Sequence, residues 1–185
     1  MTSSTVELPT VEATQAFGRS IGSRLAAGDL LILSGSLGAG KTTLTKGIAA
    51  GMGVTGRVTS PTFVIARVHP PAGIERPGSP ASSSAAGVPL VHVDAYRLAG
   101  TVELDDLDLD TDLAEAAVVV EWGEGVADQL SDARLIITLT RLPDDTRKAE
   151  LTPIGGSWIG RVGEIVAEQE AFAGVGVAAR TGPAV

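Results

Sequence analysis

The 185-residue chain has no cysteine and no asparagine, and only 3% of it is aromatic. Without cysteine, disulfides, thiolate metal sites and cysteine nucleophiles are all excluded, while the redox compartment is left open. Cations are scarce too: 14 Lys and Arg face 22 Asp and Glu, for a formal charge of −8. Such a surface does not grip a phosphate backbone unaided, so DNA is not an expected partner, and any RNA would be held by another subunit. No apolar run approaches the roughly 20 residues of a membrane helix. The segment from Met1 to Thr10 is polar, with neither the basic flank nor the apolar core of a secretory signal. A soluble, cytoplasmic protein with no membrane partner is the expectation. What remains in quantity is aliphatic: the chain is 44% hydrophobic with few aromatics, so Ala, Val, Leu and Ile must build the core. That content suits a parallel sheet covered by helices, in a chain of one-domain size.

The most informative stretch is Gly35-Ser36-Leu37-Gly38-Ala39-Gly40-Lys41-Thr42, which reads G-x-x-x-x-G-K-T without a mismatch. It follows the apolar run Leu30-Leu31-Ile32-Leu33 and opens a helical-looking segment from Thr43 to Met52. Strand, loop and helix in that order are the setting a phosphate-binding loop requires. The glycines let the loop curl so that successive backbone N–H groups point at phosphate oxygens. Lys41 can reach the β- and γ-phosphates, the Thr42 hydroxyl can ligate Mg²⁺, and the helix N-terminus adds partial positive charge. Guanine specificity normally uses an N/T-K-x-D element; here there is no asparagine, and Thr45-Lys46 is followed by Gly47 and Ile48. The nucleotide is therefore read as ATP.

Along the chain, Thr10 is a helix N-cap followed by Ala13, Ala16, Phe17, Ile21 and Leu25 on one stripe, with Gly28 past its end. Asp29–Ser34 reads as the first strand, buried on both faces. Ser60-Pro61-Thr62 is a loop running into a strand. The Pro-, Gly-, Ser- and Ala-rich stretch from Pro70 to Pro89 reads as a flexible surface insertion. Leu90–Asp94 and Ala116–Val120 are further strands, and Glu124–Leu130 reads as a short helix. Arg134–Thr140 and Arg147–Thr152 form a hairpin around Pro143-Asp144-Asp145. Trp158, Val162, Ile165 and Val166 mark a last helix. The expected architecture is a single α/β domain over residues 1–172, of the P-loop NTPase kind. It has a mixed central sheet, helices on both faces and a C-terminal antiparallel hairpin. Residues 173–185 are expected to be a disordered tail.

A P-loop enzyme needs a further acid near Mg²⁺ and a group that orients water. Two apolar strands end in acids, Asp94 and Glu121, and such strand ends line the crevice beside the phosphate loop. Ser60, Pro61 and Thr62 occupy the place of a loop that senses the γ-phosphate. His92, inside an apolar strand, reads first as a core histidine. Trp122 either stacks on a ligand or plugs the sheet end. The acidic run Asp106–Asp112 fails as a calcium loop, because Thr111 stands where glycine is needed and Ala117 where a bidentate glutamate is needed. It reads instead as a solvated or partner-facing surface.

Taken together, Leu37–Thr43, Ser60-Pro61-Thr62-Phe63, His92-Val93-Asp94-Ala95-Tyr96-Arg97, Glu103-Leu104 and Glu121-Trp122 resemble the TsaE (YjeE) family of bacterial ATPases. Order and spacing match from about Pro9 to about Arg147. The resemblance implies an ATPase that assists two partners, TsaB and TsaD, in threonylcarbamoyl modification of adenosine 37 in tRNAs reading ANN codons. The tRNA would be reached only through those partners. Carried over residue by residue, Gly35, Leu37, Gly38, Ala39, Gly40, Lys41, Thr42 and Thr43 would cradle the nucleotide. Thr42 and Glu121 would ligate Mg²⁺. Asp94 would act near the metal or the attacking water, with Lys41 and Glu121 completing the catalytic set. Trp122 would neighbour the nucleotide, Thr10 to Thr14 would border the adenine, and Arg147 would touch the nucleotide from outside the loop. The family loop usually carries an acid where Ser36 stands, so that acid's role is absent here. Turnover by the chain alone is expected to be slow, since no arginine finger is evident. Two other classes fit the phosphate loop: a kinase of a small metabolite, and a binding module in which ATP only orders the Ser60 loop.

Overall fold

In the computed structural model, the described residues are 3–61, 65–72, 87–98 and 109–178, without the side chains of 110, 111 and 172–178. Seven strands form one sheet: β1 (Ser4–Leu8), β2 (Leu30–Ser34), β3 (Ala66–His69), β4 (Leu90–Asp94), β5 (Ala117–Glu121), β6 (Arg134–Arg141) and β7 (Arg147–Ile154). Among the described residues four α-helices accompany them: α1 (Val11–Gly22), α2 (Lys41–Met52), α3 (Leu109–Glu115) and α4 (Gly156–Ala178). The strand order is β1-β7-β6-β2-β5-β4-β3. β6, β2, β5 and β4 run parallel, while β7 and β1 on one side and β3 on the other add antiparallel edges. The expected mixed α/β architecture is therefore what the chain adopts, with the C-terminal hairpin extending the sheet next to β2.

The central strands are buried throughout, as their unbroken aliphatic runs require. Alternate side chains go to opposite faces. Leu31, Leu33, Leu90 and Val119 meet Phe17 and Ile21 of α1, Leu44 and Ile48 of α2, and Trp158, Val162 and Ile165 of α4. Leu30, Ile32, Val91, Val118 and Val120 face the other way, against Leu109 and Leu113 of α3. By the same alternation His92, Asp94 and Glu121 belong to the α2 side.

Several sequence expectations change. The polar N-terminus supplies β1, an edge strand paired with β7 from Ser4↔Leu151 to Leu8↔Arg147. Glu124–Leu130 is not a helix but a run of turns, with Gly125 at φ 75° and its N–H donated to the Asp128 carboxylate. The acidic run is partly helical: α3 begins at Leu109 and buries Leu109 and Leu113, one turn apart. α1 also ends six residues before Gly28, at Gly22, after which Ser23 N–H closes on the Arg19 carbonyl. Most of the Pro70–Pro89 stretch lies outside the described residues, as do residues 99–108 and 179–185. Of the stretch expected to be a tail, the helix α4 reaches Ala178. Among the described residues no helix is long and apolar enough to cross a membrane.

Candidate nucleotide site

Register brings the site together. β4 and β5 are parallel with Asp94 opposite Glu121, and β5 and β2 are parallel with Leu33 opposite Glu121. The two acids thus lie side by side where β2 leaves the sheet, at the carboxyl ends of the parallel strands. The loop from Gly35 to Gly40 leads from β2 into α2 with Gly35, Gly38 and Gly40 at φ of 133°, 78° and 112°. At Gly35 a side chain would also collide with the Leu139 carbonyl, at 2.3 Å. α2 begins with no side-chain cap and no acid in its first turn. Its first N–H groups are open to an anion, and the helix dipole favours one there.

A cavity of about 490 Å³ opens over this helix end. Leu37, Gly38, Gly40, Lys41, Thr42 and Thr43 form its floor, Asp94, Glu121 and Trp122 one wall, and Ser60, Thr14 and Arg147 the rim. The Lys41 ammonium donates to the carbonyls of Gly35 at 2.7 Å and Ser36 at 3.1 Å, and lies 3.5 Å from the centre of the Trp122 ring. Burial holds its pKa below 10.5, although the charges of Glu121 and Asp94 pull it back up. Thr42 Oγ1 donates to Glu121 Oε2 at 2.9 Å, which sets a hydroxyl and a carboxylate oxygen at one spot. Ser60 Oγ donates to Asp94 Oδ2 at 2.7 Å, and the other oxygen of that carboxylate accepts the Tyr96 N–H at 3.1 Å. Asp94 therefore ties the Ser60 loop to the end of β4. Trp122 itself sits at φ 63°, in the left-handed region, and its N–H donates to the Leu33 carbonyl at 2.9 Å. That turn folds the indole back over Lys41, with the Tyr96 ring tilted against it at 5.1 Å between centroids.

Four of the residues expected at the site do not line this cavity. Thr10 caps α1 by accepting the Ala13 N–H, so it shapes the rim through Thr14, whose hydroxyl donates to the Thr10 carbonyl. Ala39 is buried in the core, Gly35 contributes its carbonyl from below, and Pro61 is buried. Thr62 lies outside the described residues. Val11 and Thr14, from the stretch expected to border the adenine, line the cavity. Sequence reasoning missed Tyr96, which also lines it, and Thr45 and His92, which reach Glu121 from behind. Tyr96 and His92 were visible within the H-x-D-x-Y-R run.

A family model for threonylcarbamoyl adenosine biosynthesis protein TsaE matches residues 8–149. The chain belongs to the TsaE family. Among similar proteins, the tRNA threonylcarbamoyladenosine biosynthesis protein TsaE of Streptomyces coelicolor is 51% identical over 146 residues, covering 76% of this chain and 90% of that protein. The Mycobacterium tuberculosis TsaE is 53% identical over 152 residues, covering 78% and 84%. The TsaE of Bacillus subtilis is 36% identical over 148 residues, covering 80% and 84%. A crystal structure of Bacillus subtilis YdiB superposes with a TM-score of 0.68 at 30% identity, covering 90% of this chain and 96% of that one. The TsaE match ends at 149, so the end of β7 and α4 lie beyond it.

Proposed function

We propose that the protein binds ATP with Mg²⁺ in this cavity and hydrolyses it in support of tRNA threonylcarbamoyladenosine biosynthesis, with TsaB and TsaD as its partners. Family membership ties the chain to that biosynthesis and to a P-loop ATPase framework. The observation that carries the finer reading is the convergence of Lys41, Thr42 and Glu121 on the uncapped start of α2.

On nucleotide binding, Lys41 would leave the carbonyls of Gly35 and Ser36 for phosphate oxygens, and the first N–H groups of α2 would complete the cradle. Thr42 Oγ1 and Glu121 Oε2 are hard oxygen donors at one place. They suit Mg²⁺, which prefers a few such ligands and completes its shell with phosphate oxygens and water. Mg²⁺ would neutralise charge developing between the β- and γ-phosphates. Asp94 would hold the attacking water and accept its proton, and Ser60 would couple that carboxylate to a loop near the γ-phosphate. Val11 and Thr14 would border the base, with Trp122 and Tyr96 on the opposite wall. Arg147 is the one arginine among the described residues that lines the cavity, and it sits at the rim with its guanidinium on the Asp145 carbonyl. With no arginine among the described residues at the phosphate end, turnover by the isolated chain would be slow and would rise when partners complete the site. The charge of −8 agrees with a tRNA held by those partners.

The test is reconstitution with TsaB, TsaD, tRNA and the threonylcarbamoyl donor. The wild-type chain should bind ATP and sustain repeated modification, and Lys41→Ala should lose both. Intact nucleotide binding and modification with Lys41→Ala would overturn the reading.

A further inference from the structure

Behind Glu121, away from the cavity, a fully buried histidine meets the carboxylate. His92 Nε2 lies 2.8 Å from Glu121 Oε1, and His92 is 0% exposed. Its other ring nitrogen, Nδ1, is buried without a hydrogen-bond partner among the described residues. A nitrogen facing a carboxylate oxygen must carry the hydrogen, so the network assigns the tautomer with the hydrogen on Nε2. The orphan at Nδ1 is then a lone pair, and all of the ring's donor capacity is spent on Glu121.

Among the described residues Glu121 Oε1 has one other hydrogen-bond partner, Thr45 Oγ1 at 3.3 Å. That hydroxyl has a single hydrogen and makes a shorter bond, 3.0 Å, to the Lys41 carbonyl one turn earlier in α2. Thr45 therefore cannot be the steady donor to Glu121. His92 is. With Oε1 occupied from within the sheet, the carboxylate plane is fixed and Oε2 is turned toward Thr42 Oγ1.

We propose that His92 is a positioning residue: by donating from Nε2 to Glu121 Oε1 it aims Oε2 at the place where Mg²⁺ and Thr42 meet. This rests on the reading of Glu121 and Thr42 as metal ligands. Hydrogen bonds that orient a metal-binding carboxylate typically govern metal affinity by about 10- to 100-fold. Among the described residues His92 makes no hydrogen bond to the phosphate loop or to Lys41, so its effect belongs to the metal and not to nucleotide binding as such.

The experiment compares wild type with His92→Gln, His92→Asn and Glu121→Gln. Glutamine can present an N–H about where Nε2 sits, whereas the shorter asparagine falls short of Glu121. ATP affinity is measured by calorimetry in EDTA and across a Mg²⁺ titration. In EDTA the His92 variants should match wild type. In the Mg²⁺ titration His92→Asn should need about 10-fold more metal, and His92→Gln should recover most of that loss. His92→Met, which keeps bulk but has no N–H, is a second non-donating variant should His92→Asn fail to fold. Asparagine or methionine variants with the Mg²⁺ dependence of His92→Gln would overturn the proposal. Glu121→Gln with wild-type Mg²⁺ dependence would overturn the reading of the metal site itself. An impaired Glu121→Gln beside an unimpaired His92→Asn or His92→Met would overturn the role of His92 alone.

Discussion

Lys41 is held in a waiting position: the residue is almost wholly buried, its ammonium bonded to two carbonyls and laid on the Trp122 ring. Burial is the largest cause of its lowered pKa, and Glu121 and Asp94 oppose it. Phosphate oxygens would favour the charged form and raise the pKa again. ATP binding should then take up a proton between the lowered value and 10.5, and affinity should fall as pH rises through that window. Calorimetry in buffers of different ionisation enthalpy reads the proton directly; binding with no net uptake at alkaline pH would rule the idea out. Withdrawal of Lys41 also uncovers the indole, so Trp122 emission should change on ATP addition, and Trp122→Phe should lose that change while Trp158 remains. At this scale Lys41, Thr42, Asp94 and Glu121 were legible, because a motif names the first two and strand ends name the acids. The lodging of the Trp122 ring on Lys41 was not. It depends on a left-handed backbone angle that costs a non-glycine residue about 1–2 kcal/mol and leaves no mark in the sequence.

Between elements, the closest packing is that of α1 on α2, and glycines make it possible. A Cβ at Gly18 would stand 2.5 Å from the Leu44 carbonyl oxygen, and one at Gly22 2.1 Å from that of Ile48. From the other side, Gly47 and Gly51 lie against the backbone of Gln15 and Arg19. Each helix thus presents two glycines one turn apart to the other. Alanine would gain about 0.5–1 kcal/mol of intrinsic helix preference. Backbone atoms cannot yield as a side-chain tip would, and overpacking of this kind costs about 1–3 kcal/mol or more. Gly22→Ala and Gly47→Ala should therefore lower stability in chemical denaturation, and an unchanged or raised midpoint would contradict the packing argument. Because α1 carries Val11 and Thr14 at the cavity, the same variants should also weaken ATP binding. Elements with their own pattern were legible: the aliphatic runs gave β2, β4 and β5, and the cap at Thr10 gave the start of α1. Those that depend on a distant partner were not. β1 alternates weakly and exists by pairing with β7, some 140 residues away in sequence. The short helix read over Glu124–Leu130 does not form, since Gly123 must pass close to Val120 and Gly125 turns left-handed.

For the molecule as a whole, stability rests on joining the antiparallel edges and α4 to a parallel centre that already holds the site. Arg161 of α4 makes two bonds of 2.7 Å to the Asp29 carboxylate at the entrance to β2 and covers Trp158 at 4.0 Å. Glu168, further along the helix, meets Ser20 and Arg24 beside α1. The far edge is fastened by buried His69 at the end of β3, beside the bridge of Val54 to Pro71. These two contacts respond to acid in separate ranges. Burial holds the His69 pKa below 6.5, assisted by the neighbouring His92 and Arg67 against a bond to the Thr55 backbone. The unfolded chain therefore binds a proton at His69 before the folded one does, and stability should fall as pH drops below 6.5. The Ser20 bond, then Arg24, hold Glu168 below 4.5, so its contribution is present above 4.5 and is lost only as pH falls through the lower folded value. Thermal unfolding followed from neutral pH downward should thus show a first decline below 6.5 that His69→Gln flattens and Glu168→Gln leaves unchanged. A decline that begins only below 4.5, or one that His69→Gln does not alter, would remove His69 from the account of acid stability.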